Sequence, residues 1–193
     1  MEANLNHNLS RYVSFTEAEF SVLHGLIEPQ FVPKKTIMLR EGEKCNFEAY
    51  VLKGCVRKYY IDEEGNELVL QFAVEDNWLS DISFSIYETR PSRVFIETLE
   101  DCEFLVFTPE SKEELFARVP KFERAFRILV QRNLSATQHR LFDSVSKNAT
   151  EKYLEFLQLY PTIPQRVAQH YIASYLGISP EFLSKVRKRL AGG

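Results

Sequence analysis

The stretch Gln169–Leu190, QHYIASYLGISPEFLSKVRKRL, decides how the rest of the chain is read. It has the pattern of two short helices joined by a tight turn. Ile172, Ala173 and Leu176 give the first helix an apolar stripe at three- and four-residue spacing. Gly177 ends it, as a residue that accepts a left-handed backbone should. Ile178 is placed to plug the angle between the helices. Ser179 is a good N-cap, and Pro180 stands at the first helical position, where its missing N–H costs nothing. The second helix divides into two faces. Leu183, Val186 and Leu190 point inward, whereas Glu181, Ser184, Lys185 and Lys188 make another face that is polar and mostly basic.

Ala173 is small where two helices must cross closely, and a glycine follows four residues later. That combination is the DNA-binding helix-turn-helix pattern, whose second helix enters the major groove. An ordinary helical hairpin carries the same pattern and stays open as the alternative. Local charge favours the first reading. From residue 164 to 193 there are five basic residues (Arg166, Lys185, Arg187, Lys188, Arg189) against one acid, Glu181. With a total charge of −3, this leaves −7 on the remainder, so the positive charge sits where phosphate would be met.

The 193 residues suffice for one large or two small domains, and 45% hydrophobic with 26% charged residues is ordinary for a soluble globular protein. No run approaches the roughly 20 apolar residues that span a bilayer. The N-terminal MEANLNHNLSRY lacks a basic region followed by an apolar core, so no secretory signal is expected and the location is cytoplasmic. Cys45, Cys55 and Cys102 are odd in number and widely spaced, which fits neither a disulfide framework nor a zinc or iron–sulfur site. They read as small buried hydrophobes, with a redox-sensing thiol as the alternative.

Residues 14–27 open with a capping signature, Ser14 or Thr16 followed by Glu17 or Glu19, and Phe20, Leu23 and Ile27 form a helical stripe that Pro29 and Pro33 stop. His24 reads as a surface or packing residue. From Phe31 to Phe107 the period is two. Strands are expected at 36–39, 48–52, 56–61, 68–74, 94–99 and 103–107, with turns at Gly42, Gly54, 62–66 and Asp101. With little helix between them, they should form a small antiparallel sandwich or barrel. The helical period then returns. A short helix at 111–116 precedes a long one from Pro120, in which Phe122, Phe126, Leu129, Val130, Leu134, Leu141 and Val145 mark a stripe of about 25 residues. A twin helix across a two-fold axis would cover such a stripe; packing on the chain's own sheet is the alternative. A helix at 149–160 follows, closed by Pro161 and Pro164.

A β-rich domain, a long helix and a C-terminal helix-turn-helix, in that order, resemble the Crp/Fnr family of prokaryotic transcription regulators. In the β domain the resemblance rests on REGE (40–43), YVLKGCVRKYY (50–60) and DEEGNELVLQF (62–72), which look like the family's cyclic-nucleotide-binding roll. At the C-terminus it rests on IASYLGISPEFLSKVRKRL, which fits without a gap. The resemblance implies DNA with a palindromic operator, a second copy of this chain and RNA polymerase as partners, and an unidentified small-molecule effector. Glu181 falls at the family's base-reading glutamate position, suited to accept from a cytosine amino group. Lys185 stands where arginine is usual, losing the rigid bidentate fork. Pro180 occupies a position where relatives often place another arginine, and Gln169, Ser179 and Lys188 are phosphate candidates, with Ser184 beside them. The chain ends two glycines after Ala191, so a β-hairpin wing is expected to be missing or minimal.

The resemblance also has departures. Members that bind cyclic AMP carry a Gly-Glu pair, then Arg-Ser or Arg-Thr before a strand. Here these positions read Trp78-Leu79-Ser80-Asp81 and Pro91-Ser92-Arg93-Val94. Arg93 is displaced by about one position, which on a strand would turn it to the opposite face. A buried cyclic phosphate needs a cation or several donors. Cyclic AMP is therefore not expected as a ligand, and any effector would meet Leu79, Ser80, Asp81, Ser92 and Arg93. No cysteine precedes Cys45, and His7, His24, His139 and His170 show no pairing that compels a haem, so no cofactor is expected.

The expected fold class is α+β. It comprises an N-terminal helix and antiparallel β-roll over 1–119, a long dimerisation helix over 120–146 and a helical helix-turn-helix domain over 147–193. The expected function is DNA-binding transcription regulation. A ligand-binding or protein-interaction module without a DNA role is the alternative. No enzyme activity is expected, because no nucleophile–base pair, metal spacing or phosphate loop is present, and Glu63-Glu64 reads as hairpin solvation.

Overall fold

The described residues of this computed structural model are 2–81 and 90–191. In chain order their elements are α1 (Glu2–Ser10), α2 (Glu17–His24), β1 (Glu28–Val32), β2 (Ile37–Leu39), β3 (Glu48–Lys53), β4 (Val56–Ile61), β5 (Glu67–Ala73) and β6 (Trp78–Leu79). Then come β7 (Phe95–Thr98), β8 (Cys102–Phe107), α3 (Pro109–Arg118), α4 (Lys121–Ser146), α5 (Ala149–Leu159), α6 (Ile163–Arg166), α7 (Gln169–Leu176) and α8 (Pro180–Ala191). The strands and long helices expected from the sequence are present with ends shifted by a few residues. Of the two capping pairs, Thr16 with Glu19 forms the box that starts α2. Four elements were not expected: α1, β1, β6 and α6.

The chain forms two compact units, Met1–Arg57 with Phe72–Asn133, and Lys58–Gln71 with Leu134–Gly193. These limits differ from a division after residues 119 and 146. Most of the β4–β5 hairpin and the second half of α4 group with the C-terminal helices, where side-chain bonds to α7 are described below.

In the first unit, alternation along β3 and β8 decides the layering. The antiparallel sheet has the order β1-β8-β3-β6, with Glu28 opposite Val106 and Tyr50 opposite Leu105. Ala49, Val51, Cys102 and Phe104 point to one face, where they join Leu39, Val56, Ala73 and Ile96 from the second sheet, ordered β2-β7-β4-β5. Tyr50, Leu105 and Phe107 point to the other face and meet Leu5, Leu9, Leu23, Leu115, Phe122 and Phe126 from the helices. Each fully buried phenylalanine here contributes about 1.5–3 kcal/mol. Gly54, at φ 108°, permits a close crossing, since a Cβ there would lie 2.5 Å from the Cys102 sulfur.

A polar knot ties α1 to this sheet. Asp76, itself at φ 70°, accepts from the Tyr50 hydroxyl at 2.7 Å and the Asn8 amide at 2.9 Å, and pairs with Arg11 at 2.7 Å. Asn8 in turn accepts from the Trp78 indole N–H at 3.1 Å. Burial pushes the Asp76 carboxyl up, but the bonds from Tyr50, Asn8 and Arg11 outweigh it and hold the group below its ordinary value. Burial, then Asp76 itself, raises the Tyr50 hydroxyl, so that group stays a donor.

The second unit is held by an aromatic cluster. Phe156 of α5 lies 5.4 Å from both Tyr160 and Tyr175, and Tyr160 meets Tyr175 edge-on at 5.9 Å. Ile163, Ile172, Ala173, Leu176, Leu183 and Val186 are buried with Phe156 and Tyr153. Leu190, expected to face inward, is 39% exposed in the last turn of α8. The link between α4 and α5 is braced by Lys147, paired with Asp143 at 2.8 Å and Glu155 at 2.6 Å, and by an Asn148–Glu151 capping box.

Because the Asp76 pKa is lowered by folding, the stability it contributes is present above the ordinary carboxylate range and is lost as pH falls through the folded value. Urea unfolding of the wild type should therefore weaken on acidification below pH 3.8, and Asp76→Asn should remove part of that dependence. Asn8→Ala, which takes the acceptor from the half-buried Trp78 indole N–H and a donor from Asp76, should cost about 1–3 kcal/mol at neutral pH.

Candidate nucleic-acid interface

The turn between α7 and α8 is closed by hydrogen bonds. Gly177 is left-handed at φ 68° and ψ 36°. Its N–H donates to the Ser174 carbonyl at 3.1 Å, and the Ile178 N–H donates to the Ala173 carbonyl at 3.0 Å. Ser179 then caps α8, its hydroxyl accepting from the Phe182 N–H at 3.2 Å. Leu183 and Val186 anchor the inner face of α8 against α5 and α7. This fixes which residues turn outward.

The outward face carries Glu181, Ser184, Lys185 and Lys188, all exposed. Its flank forms a cleft of about 320 Å³ lined by Gln169, Pro180, Ser184, Arg187 and Lys188. Four residues selected from the sequence thus line one depression, although Gln169 stands on a different helix. Arg187 was not among them. It lies three residues beyond Ser184, and the same helical spacing extended by one step would have found it.

Electrostatically the face is prepared for an anion. Among the described residues, the side chains of Ser184, Arg187 and Lys188 make no hydrogen bond or ion pair. The Gln169 side-chain oxygen is buried in the cleft wall and also lacks a partner there. Glu181 has its carboxyl held below the ordinary range by its own backbone N–H and then by the Ser179 hydroxyl, with Lys185 adding a smaller lowering. It is an ionised acceptor at neutral pH, set among cations. Phe182 is 48% exposed beside it.

The candidate effector residues do not form a comparable group. Leu79 is buried in the apolar core of the first unit and pairs with Ala49 across β6 and β3. The Ser80 hydroxyl donates to the Phe47 carbonyl at 3.0 Å. Asp81 is half-buried beside it. Ser92 is buried in a turn, where its hydroxyl accepts from the Val94 N–H at 3.1 Å and its backbone bonds Gly42 and Glu43. Arg93 is exposed and precedes β7, so the argument that a strand would flip its side chain does not apply. The cation buried nearby is Arg57, paired with Glu97 at 2.5 Å.

All three cysteines are buried, and burial raises the Cys45 thiol above its ordinary value. This makes that thiol a poor nucleophile toward oxidants. Among the described residues no three His, Cys, Asp or Glu side chains come together as a metal cluster. No described helix is long and apolar enough to cross a membrane. The expectation about a wing concerns residues after Ala191, outside those described.

Two antiparallel sheets enclosing a core, with helices flanking one of them and a long helix following, define a β-roll of the cyclic-nucleotide-binding type. Residues 29–119 match the cyclic nucleotide-binding domain family. The fold extends further among solved structures. The c-di-GMP responsive global regulator CLP of Xanthomonas campestris matches with TM-score 0.72 at 19% identity, over 92% of each chain. FixK2 from Bradyrhizobium japonicum matches with TM-score 0.73 at 18% identity, over 86% of this chain and 85% of its own. A protein from Eubacterium rectale described as a transcriptional regulator of the crp/fnr family gives 0.69 at 17% identity, over 92% and 84%. At these identities the likeness is one of fold. No curated protein sequence matches the chain.

Ser179→Ala should remove the cap of α8, costing about 1 kcal/mol of stability. It should also move the Glu181 carboxyl up toward 4.5, because one group that lowers it is gone. A side-chain carboxyl titration by NMR reads the second effect independently of the first.

Proposed function

We propose that the chain is a DNA-binding transcription regulator of the Crp/Fnr type, in which α7 and α8 are the helix-turn-helix and α8 is the recognition helix. The observation that carries this reading is the outward face of α8. The side chains of Lys188, Arg187 and Ser184 stand without partners among the described residues, around a cleft that Gln169 completes from the start of α7. Cations left unpaired on a helix flank are poorly explained by stability and well explained by phosphate. Glu181 and Lys185, one turn apart on the same face, are placed to read base edges, the first as an acceptor and the second as a donor. Ser179 supports them through its cap, while Gln169, Ser184, Arg187 and Lys188 meet the backbone. The regulators with which the chain shares its fold support the same assignment.

The chain acts as a homodimer through α4. Phe122, Ala125 and Phe126 are buried on the roll, but Val130, Leu134, Leu141, Phe142 and Val145 are 57–85% exposed. Such a stripe at helical spacing calls for a twin. The roll does not use cyclic AMP, because Leu79 is committed to the core, the Ser92 hydroxyl to its own turn, and Arg57 to Glu97. An effector of different chemistry remains compatible with the fold, as the c-di-GMP responsive neighbour illustrates.

Selection from random duplex DNA at two salt concentrations, with and without cyclic nucleotides, tests this function. Enrichment of a palindrome without nucleotide, with affinity falling steeply as salt rises, is the expected result. Absence of salt-dependent DNA binding under every condition would transfer α8 to a protein-binding role. On the selected site, Lys185→Ala should cost about 1–3 kcal/mol and relax the preference at one base position. Lys188→Ala should weaken all sequences alike and lower the salt slope by about 1. Leu141→Glu should convert the dimer to monomer in sedimentation without unfolding it, since Leu141 is exposed in the single chain.

A further inference from the structure

Three segments far apart in sequence meet at the C-terminal end of α7, all of them within the second unit. The Ser174 hydroxyl accepts from the Val69 N–H at 2.9 Å and donates to the Glu67 carbonyl at 2.7 Å. One side chain thus pairs the edge of β5 as a neighbouring strand would, with a donor and an acceptor on alternate residues. Arg140 of α4 donates from Nη2 to the Val69 carbonyl at 3.0 Å and to the Tyr175 carbonyl at 3.2 Å. Its guanidinium carbon lies 3.9 Å from the centroid of the Tyr175 ring. The Tyr175 carbonyl is among the last of α7, where a cation also faces the negative end of the helix dipole.

We infer that this junction is a positioning device for DNA reading: Arg140 and Ser174 fix the angle at which α7, and through the Gly177 turn α8, is carried on the second half of α4. It rests on the DNA-binding and dimeric reading of α8 and α4. Neither residue lines the cleft at α8, so both act on where the recognition helix is placed rather than on what it touches. In a dimer built on α4, that angle sets the separation of the two recognition helices and hence the half-site spacing that can be spanned. The chemistry is specific. Lysine at 140 would keep the charge but lose the planar group that stacks on Tyr175 while bonding two carbonyls. Threonine at 174 would keep the hydroxyl that bonds β5.

The experiment uses the full chain and a duplex pool in which two copies of the selected half-site are separated by every spacing across one helical turn. Wild type should enrich one spacing. Ser174→Ala and Arg140→Lys should enrich several neighbouring spacings, and affinity for the best palindrome should drop on the order of tenfold as the effective concentration of the second half-site falls. Binding to a single half-site should be unchanged, and Ser174→Thr should restore the single spacing. The inference is overturned if the two variants keep the wild-type spacing. It is equally overturned if they lose half-site affinity in step with their thermal midpoint, which a purely structural role would give, or if wild type binds half-sites with no spacing preference. Failure of wild type to enrich any half-site would instead overturn the DNA reading beneath it.

Discussion

The constraint on which the first unit depends is that β3 and β8 must be covered on both faces. Ala49 and Val51 alternate with Tyr50 and Leu52, and Phe104 alternates with Leu105, so neither side of the central pair can be left to water. One face requires a second sheet, which β2, β7, β4 and β5 provide. The other requires helices, which come from both ends of the roll. The start of α4 is recruited to that task through Phe122, Ala125 and Phe126. Beyond them the helix leaves Val130, Leu134, Leu141, Phe142 and Val145 exposed, an apolar stripe that a second chain would cover.

Much of this was legible in the sequence because the decisive signals are local. Thr16 with Glu19, and Gly177 followed by Ser179-Pro180, mark helix ends by the chemistry of caps, and each is found doing that in the structure, whereas the Asn148–Glu151 box that starts α5 was not read. The alternation along β3 and β8 is similarly readable at short range. What was missed depends on partners distant in sequence. The α1 segment EANLNHNLS contains three asparagines, which are poor helix formers, and its Leu5–Leu9 pair gives too short a stripe to register. Its stability comes from Asp76 and Trp78, some 70 residues away. The β1 segment contains Pro29 and is followed by Pro33, yet as an edge strand it tolerates a missing donor.

The candidate site divides in the same way. Glu181, Ser184, Lys185 and Lys188 follow from helical spacing alone, and Gln169 joins them because the Gly177 turn brings the start of α7 alongside α8. The residues Leu79, Ser80, Asp81, Ser92 and Arg93 were chosen by position in a family pattern. A pattern does not say whether a side chain faces a cavity or the core. Leu79 faces the core, the Ser80 hydroxyl bonds the Phe47 carbonyl, and the Ser92 hydroxyl serves its own turn. Arg140 had no local signal at all, since its carbonyl partners lie 71 and 35 residues away.

The interactions that shape the second unit and those that stand exposed on α8 respond differently to salt. The Lys147 pairs with Asp143 and Glu155 stand in solvent, so they contribute little and are screened by salt. By contrast, Ser174 bonds neutral backbone, Arg140 bonds carbonyls and stacks on a ring, and Phe156, Tyr160 and Tyr175 pack with no charge involved. Salt therefore removes little of what holds α7 and α8 together. Among the described residues, Glu181 is the acid set beside the cations on the outer face of α8, so screening acts chiefly on their attraction for an external anion. The packing of this unit and its attraction for an anion thus depend on separate sets of interactions. On the proposed DNA-binding reading, a fall in affinity with rising salt is assigned to the interface rather than to loosening of the unit that carries it.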